Sequence, residues 1–282
     1  MTDTILRELP DLEQGSDAWH DQRRGMVTAS VVGQLLTVGY QGAEAHPCPD
    51  CEADPYDPCR SKVKAKGFDR GPIIKTFHSA RSDVAASHRD DQHLVIEPAN
   101  NDTSRGVTTL LVAERITGYT EPTYVSDDMW RGITDEPIAR DLYSEHHSQA
   151  REYGWMDRQG EGWRLGFSPD GVVGDDGLIE IKSRRSKKQL LTILADEVPT
   201  ENIPQCQAGL LVSGRKWLDY VSYCGGMPLF VKRVFPDPRW FAAIVATVER
   251  FEKTAEEMTG RYRVAATGLP MTERIVETEM SL

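Results

Sequence analysis

The stretch Trp163–Lys188, WRLGFSPDGVVGDDGLIEIKSRRSKK, decides how the rest of the chain is read. Trp163, Leu165 and Phe167 alternate with Arg164, Gly166 and Ser168, the period of two that marks a half-buried strand. Pro169-Asp170-Gly171 and Gly174-Asp175-Asp176-Gly177 carry turn chemistry, and Leu178-Ile179-Glu180-Ile181-Lys182 follows as a second strand, so the segment predicts a β-hairpin. Glu180 and Lys182 are two apart and leave the same face of the strand, and Asp170, at the end of the preceding strand, can fold back beside them. A hard divalent cation takes carboxylate oxygens and keeps positions for water and phosphate. A lysine beside it can steer the attacking water or help deprotonate it. Two acids and a lysine on one hairpin are therefore what metal-dependent phosphodiester hydrolysis requires. A Glu–Lys pair on a solvated strand face has the same local spelling, and the flanking residues have to separate the two.

The 282 residues suffice for one large or two modest domains, and 39% apolar with 27% charged content is that of a soluble globular chain. No apolar run approaches the ~20 residues that span a bilayer, and MTDTILRELPDLEQG lacks the plan of a secretory signal, so a cytoplasmic protein with no membrane partner is expected. A net charge of −11 argues against a chain that coats nucleic acid non-specifically, but leaves room for an enzyme whose positive charge is confined to one channel. The five cysteines are odd in number, which speaks against a disulfide framework, and three of them cluster.

That cluster lies in HPCPDCEADPYDPCRSK, residues 46–62. Cys48-x-x-Cys51 has the spacing that puts two thiolates on one metal, Cys59 can supply a third, and a histidine (His78, His46 or His88) a fourth. Three sulfurs and one nitrogen in a closed set make a structural Zn²⁺ site; a metal-free cysteine loop is the bland alternative. Arg60, Lys62, Lys64, Lys66 and Arg70 surround it, either as a phosphate contact or as a solvated face. Residues 82–104 read as a linker.

Helical patterns fill most of the remainder. Residues 1–11 read as a loose lead-in. Ser16 or Asp17 caps a helix to about Arg24, with Trp19 as its core anchor; Gly25 ends it, and Thr28 or Ser30 caps a second helix, ASVVGQLL. VTTLLVAERITGY is an apolar-periodic helix closed by Gly118. Glu136 followed by Pro137 fits the first turn of a further helix, where a carboxylate also favours the dipole. Glu201–Val212 predicts a buried helix on which Gln205 and Gln207 face different sides, and Cys206 and Cys224 read as small core fillers. Pro238–Arg261 is amphipathic, with Trp240, Ile244, Val248 and Phe251 on one stripe.

Four of these stretches carry a resemblance. QGSDAWHDQRRGMVTAS (14–30), RGITDEPIARDLY (131–143), the SPDG…EIK hairpin and PQCQAGLLVSG (204–214) resemble, in order, four motifs of the lambda-exonuclease/YqaJ-type viral recombinase family. These are its opening motif, its G-x-x-x-E-x-x-A-R helix, its catalytic hairpin and its Q-x-Q helix; the family lies within the PD-(D/E)-x-K nuclease superfamily. FHSAR (77–81) resembles the close of small phage zinc-binding modules, which favours His78 over His46 and His88.

The resemblance implies a mixed α/β, restriction-endonuclease-like core, with a central mixed sheet flanked by helices, over residues 12–40 and 105–265. The zinc-binding module and linker are inserted at 41–104, and 266–282 form a C-terminal tail. It also implies Asp170 and Glu180 as direct ligands of Mg²⁺ (or Mn²⁺), joined by the Ile181 carbonyl, with Glu136 serving a second ion or a water. Lys182 would position the attacking water and Gln205 would hold that water or Lys182. A 5′-phosphate pocket falls to Arg23, Ser30 and Ser168, completed by Lys188, Arg184 or Arg185. The family's small residue and Pro after the lysine are Ser183-Arg184 here, which leaves the basic member open. The implied activity is a metal-dependent exonuclease that degrades one strand of linear duplex DNA from a 5′ end. The 3′ single strand it leaves would pass to an annealing protein, and the enzyme would act in a homo-oligomeric ring, often a trimer. The alternatives are a structure-specific endonuclease on the same core, or a zinc-centred DNA-end-binding or interaction subunit.

Overall fold

The chain begins with β1 (Ile5–Leu9), α1 (Asp17–Arg23), α2 (Ala29–Val32) with a 3-10 turn at Gly33–Leu35, and β2 (Leu36–Tyr40). After the cysteine-rich loops come α3 (Ser79–Ser87), β3 (Leu94–Pro98), α4 (Asp102–Thr117) and α5 (Asp127–His146). Then follow β4 (Trp155–Gly160), β5 (Trp163–Phe167), β6 (Gly171–Val173), β7 (Gly177–Ser183), α6 (Ser186–Ala195), α7 (Ile203–Ser213), β8 (Trp217–Tyr223), β9 (Phe230–Val234) and α8 (Pro238–Ala265). This computed structural model describes residues 4–64, 66, 70–90, 93–122 and 124–274.

Local chemistry fixes the helix ends. Ser16 accepts from the Trp19 amide to start α1, Asn101 and Ser104 form a reciprocal capping box on α4, and Ser126 accepts from the Met129 amide at α5. Each cap satisfies an amide that the first helical turn leaves without a partner. The mixed α/β architecture holds a four-stranded sheet, β6-β7-β8-β9, in which β7 and β8 run parallel and the outer pairs antiparallel. A three-stranded antiparallel sheet, β1-β4-β5, stands beside it, and β2 and β3 make a separate antiparallel ribbon. Between the sheets, Trp155, Phe167, Leu165, Leu178, Leu210, Leu218 and Ile244 are fully buried. Alternation along β7 puts Leu178 in the main core, whereas Ile179 and Ile181 pack with Ala139 and Tyr143 of α5. The α8 stripe of Trp240, Ile244, Val248 and Phe251 is buried in the main core, at ~1.5–3 kcal/mol per large side chain. Gly209 lets α7 approach β5: a Cβ there would lie 2.7 Å from the Phe167 ring.

Several sequence expectations are corrected. The hairpin is formed by β6 and β7, and Trp163–Phe167 pairs instead with β4, because the bend at Asp170 and the Arg151–Val172 bridge start a new strand at Gly171. Residues 5–9 of the expected lead-in are a strand, held where Arg7 and Arg164 both reach Asp157. The expected linker over 82–104 holds the end of α3, all of β3 and the start of α4. ASVVGQLL is only one α-helical turn and a 3-10 turn before the chain straightens into β2. Glu136 is not in a first turn, because α5 begins nine residues earlier at Asp127 and Pro137 lies within it. Of the expected tail, residues 275–282 lie outside the described residues, as do 65 and 67–69 of the basic stretch near the cysteines.

Candidate active site

Several elements meet at a cleft of about 340 Å³. The β6–β7 hairpin brings Asp170, Glu180 and Lys182 to it, α5 brings Glu136, α7 brings Gln205, α1 brings Trp19 and Arg23, and α2 brings Ser30. Glu180 is 1% exposed, and its Oε1 accepts from Lys182 Nζ at 2.7 Å and Gln205 Nε2 at 2.5 Å. Its other oxygen, Oε2, is buried with no hydrogen-bond partner. Asp170 Oδ2 accepts from the Ile181 amide at 2.6 Å, which folds the turn acid back onto the strand.

The charges are arranged around this core. Burial raises the Asp170 carboxyl well above its ordinary range, and the charges of Glu180 and Glu136 add to the rise. Burial likewise raises Glu136, against the lowering effect of Arg140. For Lys182, burial alone would favour the neutral amine, but Glu180 and Asp170 outweigh it and hold the group above its ordinary value. It donates to Glu180 Oε1, an arrangement that suits steering the attacking water. Three crowded carboxylates and an orphaned buried oxygen are a donor set that fits a hard divalent cation.

Arg140 is the functional residue that the sequence reading passed over. It donates to Glu136 Oε1 at 2.5 Å and to the Asp170 carbonyl at 2.7 Å, and it also pairs with Glu152. It therefore ties α5 to the turn that carries Asp170. Its signal was the A-R pair one helical turn after Glu136, on the same face. Trp19, read as a core anchor, lines the cleft: its Nε1 donates to Ser168 Oγ at 2.7 Å, and the Arg23 guanidinium lies 4.2 Å over its ring. Burial lowers Arg23 to about 10, and its Nη2 donates to Ser30 Oγ at 3.3 Å. Arg23, Ser30 and Ser168 thus share one wall.

Arg184, Arg185 and Lys188 do not line the cleft. The chain turns away after Ser183: Arg184 donates to Asn202 at 2.5 Å and Tyr220 at 3.0 Å, Arg185 pairs with Asp128, and Lys188 pairs with Glu201. Gln207 faces away from Gln205, bonding the Phe235 carbonyl and the Asp237 amide.

Apart from this cleft, Cys48, Cys51, Cys59 and His78 bring their donor atoms within 4.8 Å of one another. Burial raises the Cys48 thiol. At Cys59 burial is outweighed by hydrogen bonds from the His78 backbone and Arg81, which hold it at about 6. Three sulfurs and an imidazole brought this close fit a structural zinc ion. Arg81 is buried at the centre and donates to the carbonyls of Ala43, Glu44, His46, Asp54 and Asp57.

Residues 91–216 match the YqaJ-like viral recombinase domain family. Residues 14–98 match a phage zinc finger domain family for which DNA binding is conjectured. The stretch matched by the recombinase family supplies Glu136, Asp170, Glu180, Lys182 and Gln205, whereas Trp19, Arg23 and Ser30 come from the stretch matched by the zinc finger family. Among solved structures, an alkaline exonuclease from Laribacter hongkongensis (LHK-Exo) matches with a TM-score of 0.60 and 24% identity, over 90% of this chain and 100% of that one. The same protein in complex with dAMP gives 0.61 and 25% over the same shares. The chain thus has an alkaline-exonuclease-like fold. No curated protein matches it in sequence.

Proposed function

We propose that this chain is a metal-dependent exonuclease that degrades one strand of linear duplex DNA, 5′ to 3′, and leaves 3′ single strands for recombination. Its likeness to an alkaline exonuclease and its match to the recombinase family support a DNA nuclease. A structure of that relative with dAMP supports a mononucleotide product. The observation that carries the reading is Glu180, with one oxygen held by Lys182 and Gln205 and the other buried and unpartnered beside Asp170 and Glu136.

In this reading Asp170, Glu180 and the Ile181 carbonyl hold Mg²⁺ or Mn²⁺, and Glu136 serves a second ion. The bound ions supply charge neutralisation at phosphate and an acidified water. Lys182, as an ammonium, orients that water and offsets charge building on the phosphorus oxygens. Gln205 fixes the Glu180 rotamer, and Arg140 holds Glu136 and the Asp170 turn in register. Arg23 and Ser30, with Ser168 fixed by Trp19, receive the 5′-phosphate. Arg184, Arg185 and Lys188 would act from outside the cleft, on duplex beyond the cleaved bond. Residues 41–104 are a module inserted in a core of 12–40 and 105–265, folded on a structural Zn²⁺. A homo-oligomeric ring and an annealing-protein partner complete the proposal.

The test is digestion of a linear duplex labelled at either its 5′ or 3′ end, with a closed circle as control. Release of 5′-labelled mononucleotides, with the circle intact, is expected. Cutting of the circle would replace this reading with an endonuclease.

A further inference from the structure

Beside the zinc cluster, three histidines converge that the cysteine chemistry does not use. The rings of His46, His88 and His93 have centroid separations of 5.1 Å (His46–His88), 5.5 Å (His46–His93) and 5.0 Å (His88–His93). A cation bound tetrahedrally at ~2.0 Å from three imidazole nitrogens sets the ring centroids roughly 5 Å apart. The three residues come from different places: His46 precedes the Cys48 loop, His88 ends α3, and His93 stands just before β3.

The tautomers point the same way. His88 Nδ1 lies 2.8 Å from the Val84 carbonyl, which can only accept, so Nδ1 carries the hydrogen and Nε2 keeps its lone pair. His93 Nδ1 lies 2.6 Å from Asp90 Oδ1, a carboxylate–histidine contact of the kind that orients a metal ligand. His46 is 5% exposed, and its Nε2 is buried with no hydrogen-bond partner. A buried ring nitrogen in that state needs an explanation, and a bound ion supplies one.

We propose that His46, His88 and His93 form a second metal site, separate from the Cys48/Cys51/Cys59/His78 set, for a borderline divalent cation of the Zn²⁺, Co²⁺ or Ni²⁺ class. An all-imidazole set suits such ions and not Mg²⁺. Asp90 acts through His93 as the outer partner. Among the described residues only the cysteine set already has its donor atoms within 4.8 Å of one another, so loading the histidine site draws the three rings closer together while His88 and His93 keep their Val84 and Asp90 partners. The site would clamp the end of α3 and the start of β3 onto the beginning of the cysteine loop, closing the insertion as a second brace. It does not depend on the nuclease reading.

The experiment is Co²⁺ titration of the metal-stripped full-length protein, with excess Mg²⁺ present to occupy the carboxylate cleft. Two equivalents are expected. One shows the thiolate-to-cobalt charge-transfer band and the other shows only the ligand-field absorption of a tetrahedral nitrogen site. His88→Gln/His93→Gln should lose the second equivalent and keep the first, and Cys48→Ser/Cys51→Ser should do the reverse. Should the double histidine variant also lose the charge-transfer band, the single His93→Gln variant decides. It should weaken the second equivalent at least tenfold and leave the first intact. Uptake of a single equivalent by the unmodified protein, or a second equivalent that survives the histidine substitutions, overturns the site.

Discussion

Replacing Lys182 with methionine keeps the side chain's length and apolar stem and removes only its positive end. That end donates to Glu180 at 2.7 Å, and with Arg140 it offsets the carboxylates of Glu136, Asp170 and Glu180. Losing a hydrogen bond to a charged group costs about 1.5–3 kcal/mol, which should appear as a lower unfolding midpoint in the metal-free protein. The chemical effect is larger. If the ammonium stabilises charge that develops on the phosphorus oxygens, kcat for end-labelled duplex should fall by ~10²–10³, about 2.7–4 kcal/mol. KM should change little, because the substituted group acts in the transition state and not in ground-state binding. Since Glu180 and Asp170 keep the ammonium above its ordinary range, the wild-type rate should show no ionisation of Lys182 across neutral pH. The assay pairs single-turnover digestion at saturating Mg²⁺ with a thermal melt of the same sample. A folded Lys182→Met protein that cleaves within about threefold of wild type would refute the role, whatever its stability.

The other expectations concern different parts of the molecule. Asp170 has a raised carboxyl, so its contribution to metal-free stability is present below the unfolded value near pH ~4 and is lost as pH climbs through the folded value. Mn²⁺ should therefore raise the Tm more at about pH 8 than at about pH 5, and equal gains would show that the acids do not hold the ion. Arg23→Leu should raise KM for 5′-phosphorylated ends by at least about tenfold, ~1.4 kcal/mol, with little effect on 5′-hydroxyl ends; matching losses on both would remove Arg23 from the pocket. Cys48→Ser/Cys51→Ser should speed amide exchange between residues 41 and 98 while Mg²⁺-dependent cleavage persists, and complete loss of cleavage would make the insertion part of the site. Gly209→Ala should cost ~1–3 kcal/mol in denaturant unfolding, because its Cβ would meet the Phe167 ring at 2.7 Å.

What could be read from the sequence was whatever depends on short-range spacing. Glu180 and Lys182 share a strand face by pleat alone, Cys48-x-x-Cys51 is local, and the α8 stripe follows helical periodicity. What escaped depends on pairing across long separations. Residues 5–9 spell a strand only once β4 offers its edge 150 residues on, and Trp163–Phe167 belongs to that same sheet and not to the hairpin its spacing suggested. Trp19 looks like any helix-anchoring aromatic until Ser168 and Arg23 are seen against its ring. Arg140 needed the turn at Asp170, thirty residues away, to show what its guanidinium holds. The basic run at 184–188 misled for a different reason: charge density is visible in sequence, but the end of β7 turns it onto Asp128, Asn202 and Glu201.

The ribbon of β2 and β3 has one consequence for how this chain is put together. Tyr40 and Leu94 are cross-strand neighbours, so the peptide that departs after one returns at the other. Everything strung between them could be exchanged for a tight turn without pulling on the strands that bear Asp170 and Glu180. The cysteine-rich segment thus leaves the chain and rejoins it at one place, like a cassette on a two-pronged fitting.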